Sequence, residues 1–361
     1  MTKLHELLGA GQSIWYDFIR RDMLTGGGLR ELVASGIRGV TSNPSIFEKA
    51  IADSNLYDDD IAQFGDGDAA SIFEALAISD IQSAADILGS VYVSSNGEDG
   101  FVSLEVSPEL AHDTSGTIAD AMRLWAAVDR PNLMIKVPAT TAGIPAIEEL
   151  TAVGLNINAT LMFSLTDYES VATAYIQGAE RASDPSSLAS VASFFVSRVD
   201  ASTDAALERI GTNHALSLRG RAAIANAKVA YLRYRELFEG ERFTDLRSAG
   251  ARPQRVLWAS TSTKNPEYND VMYIEELIGP NTVNTAPPAT IDAFIDHGVT
   301  RTDSLLDGMD DAVTFIESLP DAGVDFAAIT ATLQVDGVES FADAYSSLLA
   351  VIERKQAQIT A

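Results

Sequence analysis

An α/β fold closed into a (β/α)8 barrel is what this sequence predicts, on three observations. Short β-type runs alternate with stretches of 3.6-residue apolar periodicity, the mark of a parallel sheet whose crossovers are helices. The runs number eight, which favours a closed barrel over an open sheet. No internal repeat, low-complexity tract or linker interrupts them, so 1–361 reads as a single domain of a size that such barrels reach.

In chain order the strand candidates are "SIWYDF" (13–18), "RGVTSN" (38–43), "FVSLEV" (101–106), "LMIKVP" (133–138), "LNINATLMF" (155–163), "VASFFVSR" (191–198), "RVLWAS" (255–260) and "NTVNTA" (281–286). Between the second and third, residues 44–89 hold two or three helices, including "DAASIFEALAISDIQSAADIL" (68–88), so that connection carries a helical insertion. "SLTDYESVATAYIQGAERA" (164–182) is a clear amphipathic helix, with Thr166 and Glu169 spaced as a capping box. "GRAAIANAKVAYLRYRELFEG" (220–240) is a long helix, and its Lys228 is expected on a solvated edge. Residues 301–361 read as a C-terminal helical extension packed on the barrel.

Composition narrows the function. With 46% hydrophobic residues the chain can fill a large core. A net charge of −26 argues against a nucleic-acid partner and requires a local basic cluster for any anionic substrate. Cysteine is absent, which excludes disulfides and thiolate metal sites. The histidines are scattered and form no metal-ligand motif, so no metal is expected. The start lacks a signal-type apolar region and no run is long enough for a membrane span, so a soluble, cytoplasmic protein is expected.

Strand alternation then locates the chemistry. A barrel strand points every second side chain inward. Ile135 and Val137 facing the helices send Lys136 inside, and Val102, Leu104 and Val106 do the same for Ser103 and Glu105. Asn156, Asn158 and Thr160 share one face of the fifth strand, Ser193 and Phe195 one face of the sixth, and Asp17 stands opposite in parity to Ile14, Tyr16 and Phe18. Barrel interiors are ordinarily filled with branched apolar residues. A lysine among apolar neighbours can be neutral and attack carbonyls, and carboxylates beside it supply acid and base steps, so Schiff-base aldol chemistry fits this set.

Each residue also has a plainer reading. Alone, Lys136 could extend its ammonium to solvent. Asn43 before Pro44 could cap a helix, a role compatible with ligand binding. Glu105 could be a strand-end carboxylate, Asn156 and Asn158 could pair with backbone, and Arg198 with Asp200 could be a surface ion pair.

Together, "GVTSNPSIF" (39–47), "VSLEVSPELAHDT" (102–114), "NLMIKVPATTAGIPAIEEL" (132–150), "LNINATLMFS" (155–164), "SFFVSRVD" (193–200) and "VLWASTSTKNPEYND" (256–270) resemble the signatures of the transaldolase family, in order and spacing and over most of the chain. The resemblance implies a barrel enzyme without a cofactor. It would transfer a dihydroxyacetone unit from a ketose phosphate, sedoheptulose 7-phosphate or fructose 6-phosphate, to an aldose phosphate in the non-oxidative pentose phosphate pathway. Its partners would be phosphorylated sugars, and it would be a monomer or homodimer.

By motif, Lys136 is implied as the Schiff-base lysine. Glu105 and Thr160 would hold the proton-shuttling water, and Asp17 would take the C4 hydroxyl proton. Asn43 and Asn158 would bind substrate hydroxyls. Ser193 and Arg198 would hold phosphate, with Phe195 beside them in the same motif. Where relatives have an arginine after the seventh strand, this chain offers Lys264 as the second phosphate cation. A related lyase that releases free dihydroxyacetone from fructose 6-phosphate, and a non-catalytic phosphosugar-binding barrel, are the alternatives.

Overall fold

Eight parallel strands close on themselves in sequence order in the computed structural model, which describes residues 2–359. They are β1 (Gln12–Tyr16), β2 (Gly39–Val40), β3 (Phe101–Glu105), β4 (Leu133–Pro138), β5 (Ile157–Met162), β6 (Ser190–Phe195), β7 (Arg255–Ala259) and β8 (Thr282–Ala286). β1 pairs with β8 from Gln12↔Thr282 to Tyr16↔Ala286, which seals the barrel. The expected fold is therefore present, with all eight strands in their expected places. Met1, Thr360 and Ala361, the ends of the expected domain, lie outside the described residues.

Strand ends differ from the sequence reading where the chain must turn. β2 is two residues long because Asn43 already caps the helix Pro44–Ala52, its Oδ1 accepting from the Ile46 N–H at 3.0 Å. Gly39 is glycine for a steric reason: a Cβ there would lie 2.5 Å from the Trp15 ring, which fills the barrel at that level. Asp17 falls just beyond β1, yet its N–H still donates to Ala286 O at 3.0 Å, so the inward parity of the strand carries through to it.

At the N-terminal end the barrel is closed by ion pairing. Arg255 bridges Asp99 (2.8 Å) and Ser13 (3.0 Å), and Ser13 donates back to Asp99 at 2.6 Å. This end of a barrel serves stability, and the opposite end is left for chemistry.

Helices cover the outside, with additions at two places. The insertion after β2 contains three helices, Pro44–Ala52, Asp58–Phe64 and Ala69–Ser94. The last helix, Phe326–Ile359, crosses the C-terminal mouth of the barrel and is fastened by several side-chain hydrogen bonds. Gln334 donates to Ala139 O (3.0 Å) and Leu161 O (3.3 Å) at the tips of the strands. Lys355 reaches Ser54 O and Asp58, at 2.8 and 2.7 Å, on the insertion.

Two local expectations are corrected. The helix Leu165–Arg181 is capped by Ser164, whose Oγ accepts from the Asp167 N–H at 3.1 Å, and not by Thr166, because the chain enters the helix two residues earlier. Lys228, in the helix Ala222–Phe238, is buried and not at a solvated edge. The segment after β8 folds over it, and its ammonium donates to Ser304 O (2.9 Å) and Asp307 O (2.6 Å). No helix of the described residues is long and apolar enough to cross a membrane.

Candidate active site

Lys136 stands in the middle of β4, every residue of which is buried. Its side chain is 7% exposed, so desolvating the ammonium must be offset locally. Three groups do this. Ser42 O lies 3.3 Å from Nζ, Glu105 Oε2 lies 3.5 Å away, and the Phe341 ring centroid sits 5.3 Å away as a cation–π partner. The amine therefore does not run out to solvent; it ends inside a cavity of about 570 Å³ at the C-terminal ends of the strands.

That cavity gathers most of the expected residues. Asp17, Asn43, Lys136, Thr160, Ser193, Phe195, Arg198 and Lys264 all line it. Glu105 meets it through Lys136 and sits in the wall, with its side chain 5% exposed. Asn158 does not reach the cavity. It is fully buried in register with Lys136, its Nδ2 donating to Ser103 Oγ (3.0 Å) and its Oδ1 accepting from Ser193 Oγ (2.7 Å). Asn156 makes only backbone bonds among its described contacts, donating to Pro131 O and Leu133 O and accepting from the Ala189 N–H.

Two carboxyls face the amine with different surroundings. Burial pushes the Glu105 carboxyl up to about 7 against the pull of Lys136, and the negative charge of Asp17 adds to the rise. Its Oε1 and the hydroxyl of Thr160 are both buried without a hydrogen-bond partner among the described residues. Asp17 is also raised by burial, an effect opposed by the Thr41 hydroxyl (2.6 Å) and by the charges of Lys136 and Lys264. Thr41 is in turn held by Thr285 at 2.7 Å, which fixes the carboxylate at the mouth.

The required basic cluster is present. Three of the six lysines, Lys49, Lys136 and Lys264, line this one cavity together with Arg198, in a chain of net charge −26. Arg198 makes no ion pair with Asp200, which instead accepts from Tyr273 (2.7 Å) and the Ala223 N–H (2.8 Å). It lies over the Phe195 ring, 5.6 Å from its centroid, and burial depresses its basicity slightly. Lys264 donates to Ser262 at 2.8 Å, and its affinity for a proton is lowered by desolvation and by Arg198.

Several lining residues escaped the sequence reading. Thr41 and Thr285 support Asp17, and only the register of β1, β2 and β8 brings them together. Lys49 lies on the insertion helix, Ser340 and Phe341 on the last helix; nothing in their local pattern marks them as facing a site. Leu161, at a bulge in β5, has a left-handed φ of 61° that aims its carbonyl at Gln334, a strained conformation tolerated where surrounding structure fixes it.

An amine, a carboxyl raised to about 7, a second carboxyl and two cations around one cavity are the parts of a carbonyl-condensing enzyme for anionic sugars. A sequence profile described as Transaldolase/Fructose-6-phosphate aldolase matches residues 14–352. The chain belongs to this family. The transaldolase of Mycolicibacterium paratuberculosis is 47% identical over 354 residues, covering 96% of this chain and 95% of the relative. That of Thiobacillus denitrificans is 48% identical over 349 residues, covering 95% and 97%. The transaldolase of Frankia alni is 47% identical over 359 residues, covering 98% and 97%.

Proposed function

We propose that this protein is a transaldolase that moves a dihydroxyacetone unit from sedoheptulose 7-phosphate or fructose 6-phosphate to an aldose phosphate, through a Schiff base on Lys136. The observation that carries the reading is the Lys136 amine, buried in the cavity at 3.5 Å from a carboxyl raised to about 7. Phosphorylated sugars do not cross membranes unaided, so the cytoplasm is its compartment.

The residues take the following parts. Arg198 and Lys264, with Ser193, bind the phosphate; the Phe195 ring supports Arg198. Asn43 spends Oδ1 on its helix cap and keeps its amide N–H for a substrate hydroxyl. The Lys136 amine attacks the ketose C2. As the carbinolamine loses its oxygen, Glu105 gives up a proton through a water shared with Thr160, whose hydroxyl is otherwise unpartnered. Asp17 then takes the C4 hydroxyl proton while the C3–C4 bond breaks, and its electron pair moves onto the iminium to give an enamine. The aldose phosphate leaves, and a new aldose accepts the enamine carbon with Asp17 returning the proton. Hydrolysis with Glu105 as base frees the product. Asn158 holds Ser193 in place through its Oδ1.

Borohydride reduction in the presence of fructose 6-phosphate, followed by peptide mass mapping, tests this. The expected result is a reduced three-carbon adduct on the Lys136 peptide, absent in Lys136→Ala. An adduct on Lys228 or Lys264, or none, refutes it. Release of free dihydroxyacetone at the same rate with and without an aldose phosphate acceptor would instead identify a lyase.

A further inference from the structure

Glu105 also borders a second cavity. Its volume is about 330 Å³, and it opens on the flank of the barrel, between the insertion helix Ala69–Ser94 and the helix Thr114–Val128. Glu105 and Ser42 form its inner end, and these two groups touch Lys136 from the other side. Its outer end reaches the surface at Ser71, which is exposed, and at Arg123, whose side chain is 51% exposed.

Two observations bear on what it does. Glu105 Oε1 is buried with no hydrogen-bond partner among the described residues, a costly state for a carboxyl oxygen unless something exchangeable serves it. The cavity also has room for several waters, and Ser71, Ser107, Asp120 and Arg123 offer them polar groups among otherwise largely apolar walls. Arg123 pairs with Glu74 and Asp120, and Asp120 accepts from the Ser107 N–H at 3.0 Å, next to the strand end. Polar contacts thus run from solvent to the wall of the site.

We infer that this flank cavity is a water channel to Glu105, separate from the mouth through which sugars enter. The inference rests on the Schiff-base reading. In iminium formation the C2 oxygen leaves as water, taking one proton from the Lys136 amine and one from the Glu105 acid. In hydrolysis a water supplies its oxygen to C2, one proton to the Glu105 carboxylate and the other to the departing nitrogen, and the C2–N bond breaks to restore the amine. Each transfer therefore discharges one water and admits one, each at a moment when a ketose phosphate fills the mouth under Phe341. The channel lets that water exchange with bulk without passing the bound substrate.

The test follows the oxygen. Unlabelled fructose 6-phosphate and erythrose 4-phosphate are turned over in heavy-oxygen water, at times too short for uncatalysed exchange. The sedoheptulose 7-phosphate formed is reduced to lock its C2 oxygen and is weighed by mass spectrometry. Two variants narrow the cavity from the insertion helix, Ala77→Leu deep inside and Ala70→Phe further out, and thermal unfolding checks that each is folded. The wild type is expected to deliver bulk oxygen at C2. A folded variant is expected to return the donor's own oxygen in the larger share, with borohydride still trapping Lys136. Wild-type product that keeps the donor's oxygen overturns the channel, and so does full exchange in a folded variant. Absence of any Lys136 adduct in the wild type overturns the Schiff-base reading and the channel with it, and is told apart by that control. If one variant fails to fold, the other decides.

Discussion

Glu105 should set the pH dependence of iminium formation. Burial lifts its carboxyl from an ordinary 4.5 to about 7, so near pH 7 about half the molecules hold the acid form. An unperturbed glutamate would be protonated there in roughly three molecules per thousand. Rapid-quench borohydride trapping across pH 5 to 9 measures the step directly. The acid-dependent part of the rate should be level below about 7 and fall about tenfold per pH unit above it. Glu105→Gln should remove that inflection and slow the step by roughly 10²–10⁴. The difference between the two profiles isolates the contribution of the carboxyl. Asp17→Asn should move the inflection to lower pH, because the Asp17 charge is one of the influences raising Glu105. An inflection near 7 that survives in Glu105→Gln would refute the reasoning, since some other group would then be titrating.

Three further outcomes follow from the same geometry. Arg198→Ala and Lys264→Ala should each raise KM for phosphorylated ketoses by about ten- to a hundredfold, the worth of a hydrogen bond to a charged group, and leave activity on unphosphorylated fructose unchanged. Equal losses on both substrates would remove the phosphate role. Gln334→Ala leaves two strand-tip carbonyls without their donor; urea denaturation should register a cost of about 1–2 kcal/mol, with a fall in kcat as the roof over Lys136 loosens. The Glu105 proton is bound more tightly in the folded than in the unfolded chain, so folding stability should fall as pH rises from 4.5 to about 7, by on the order of 3 kcal/mol. Denaturation of wild type and Glu105→Gln over that window reads the difference; a slope of opposite sign would contradict a raised carboxyl.

What the sequence made legible was whatever a period of two can carry. Lys136, Glu105 and Thr160 sit on neighbouring strands at inward parity, and Lys136 pairs in register with Glu105 on one side and Asn158 on the other. The eight strands were readable for the same reason. Contacts that depend on distant chain crossing the mouth were not. Phe341 comes to Lys136 from 205 positions away, on a helix whose pattern reports only that one face is apolar. Asn158 shows a related limit. Alternation gives the face a side chain occupies but not its hydrogen-bond partners, so a residue whose amide is spent on two serines looked the same as one lining the cavity. Lys228 was misread because the segment that covers it follows another strand altogether.

The Ser103–Asn158–Ser193 chain has a consequence for how this barrel can vary. An apolar interior layer is specified by volume, and methyl groups can be exchanged between its strands at small cost. Here three neighbouring regions of wall, β3, β5 and β6, are joined by bonds that have direction as well as length. Such a layer acts less as filling than as a gauge. It sets the angular position of the strands on either side of β4, and the amine of β4 inherits that setting. These three residues should therefore drift far less than the aliphatic shell around them.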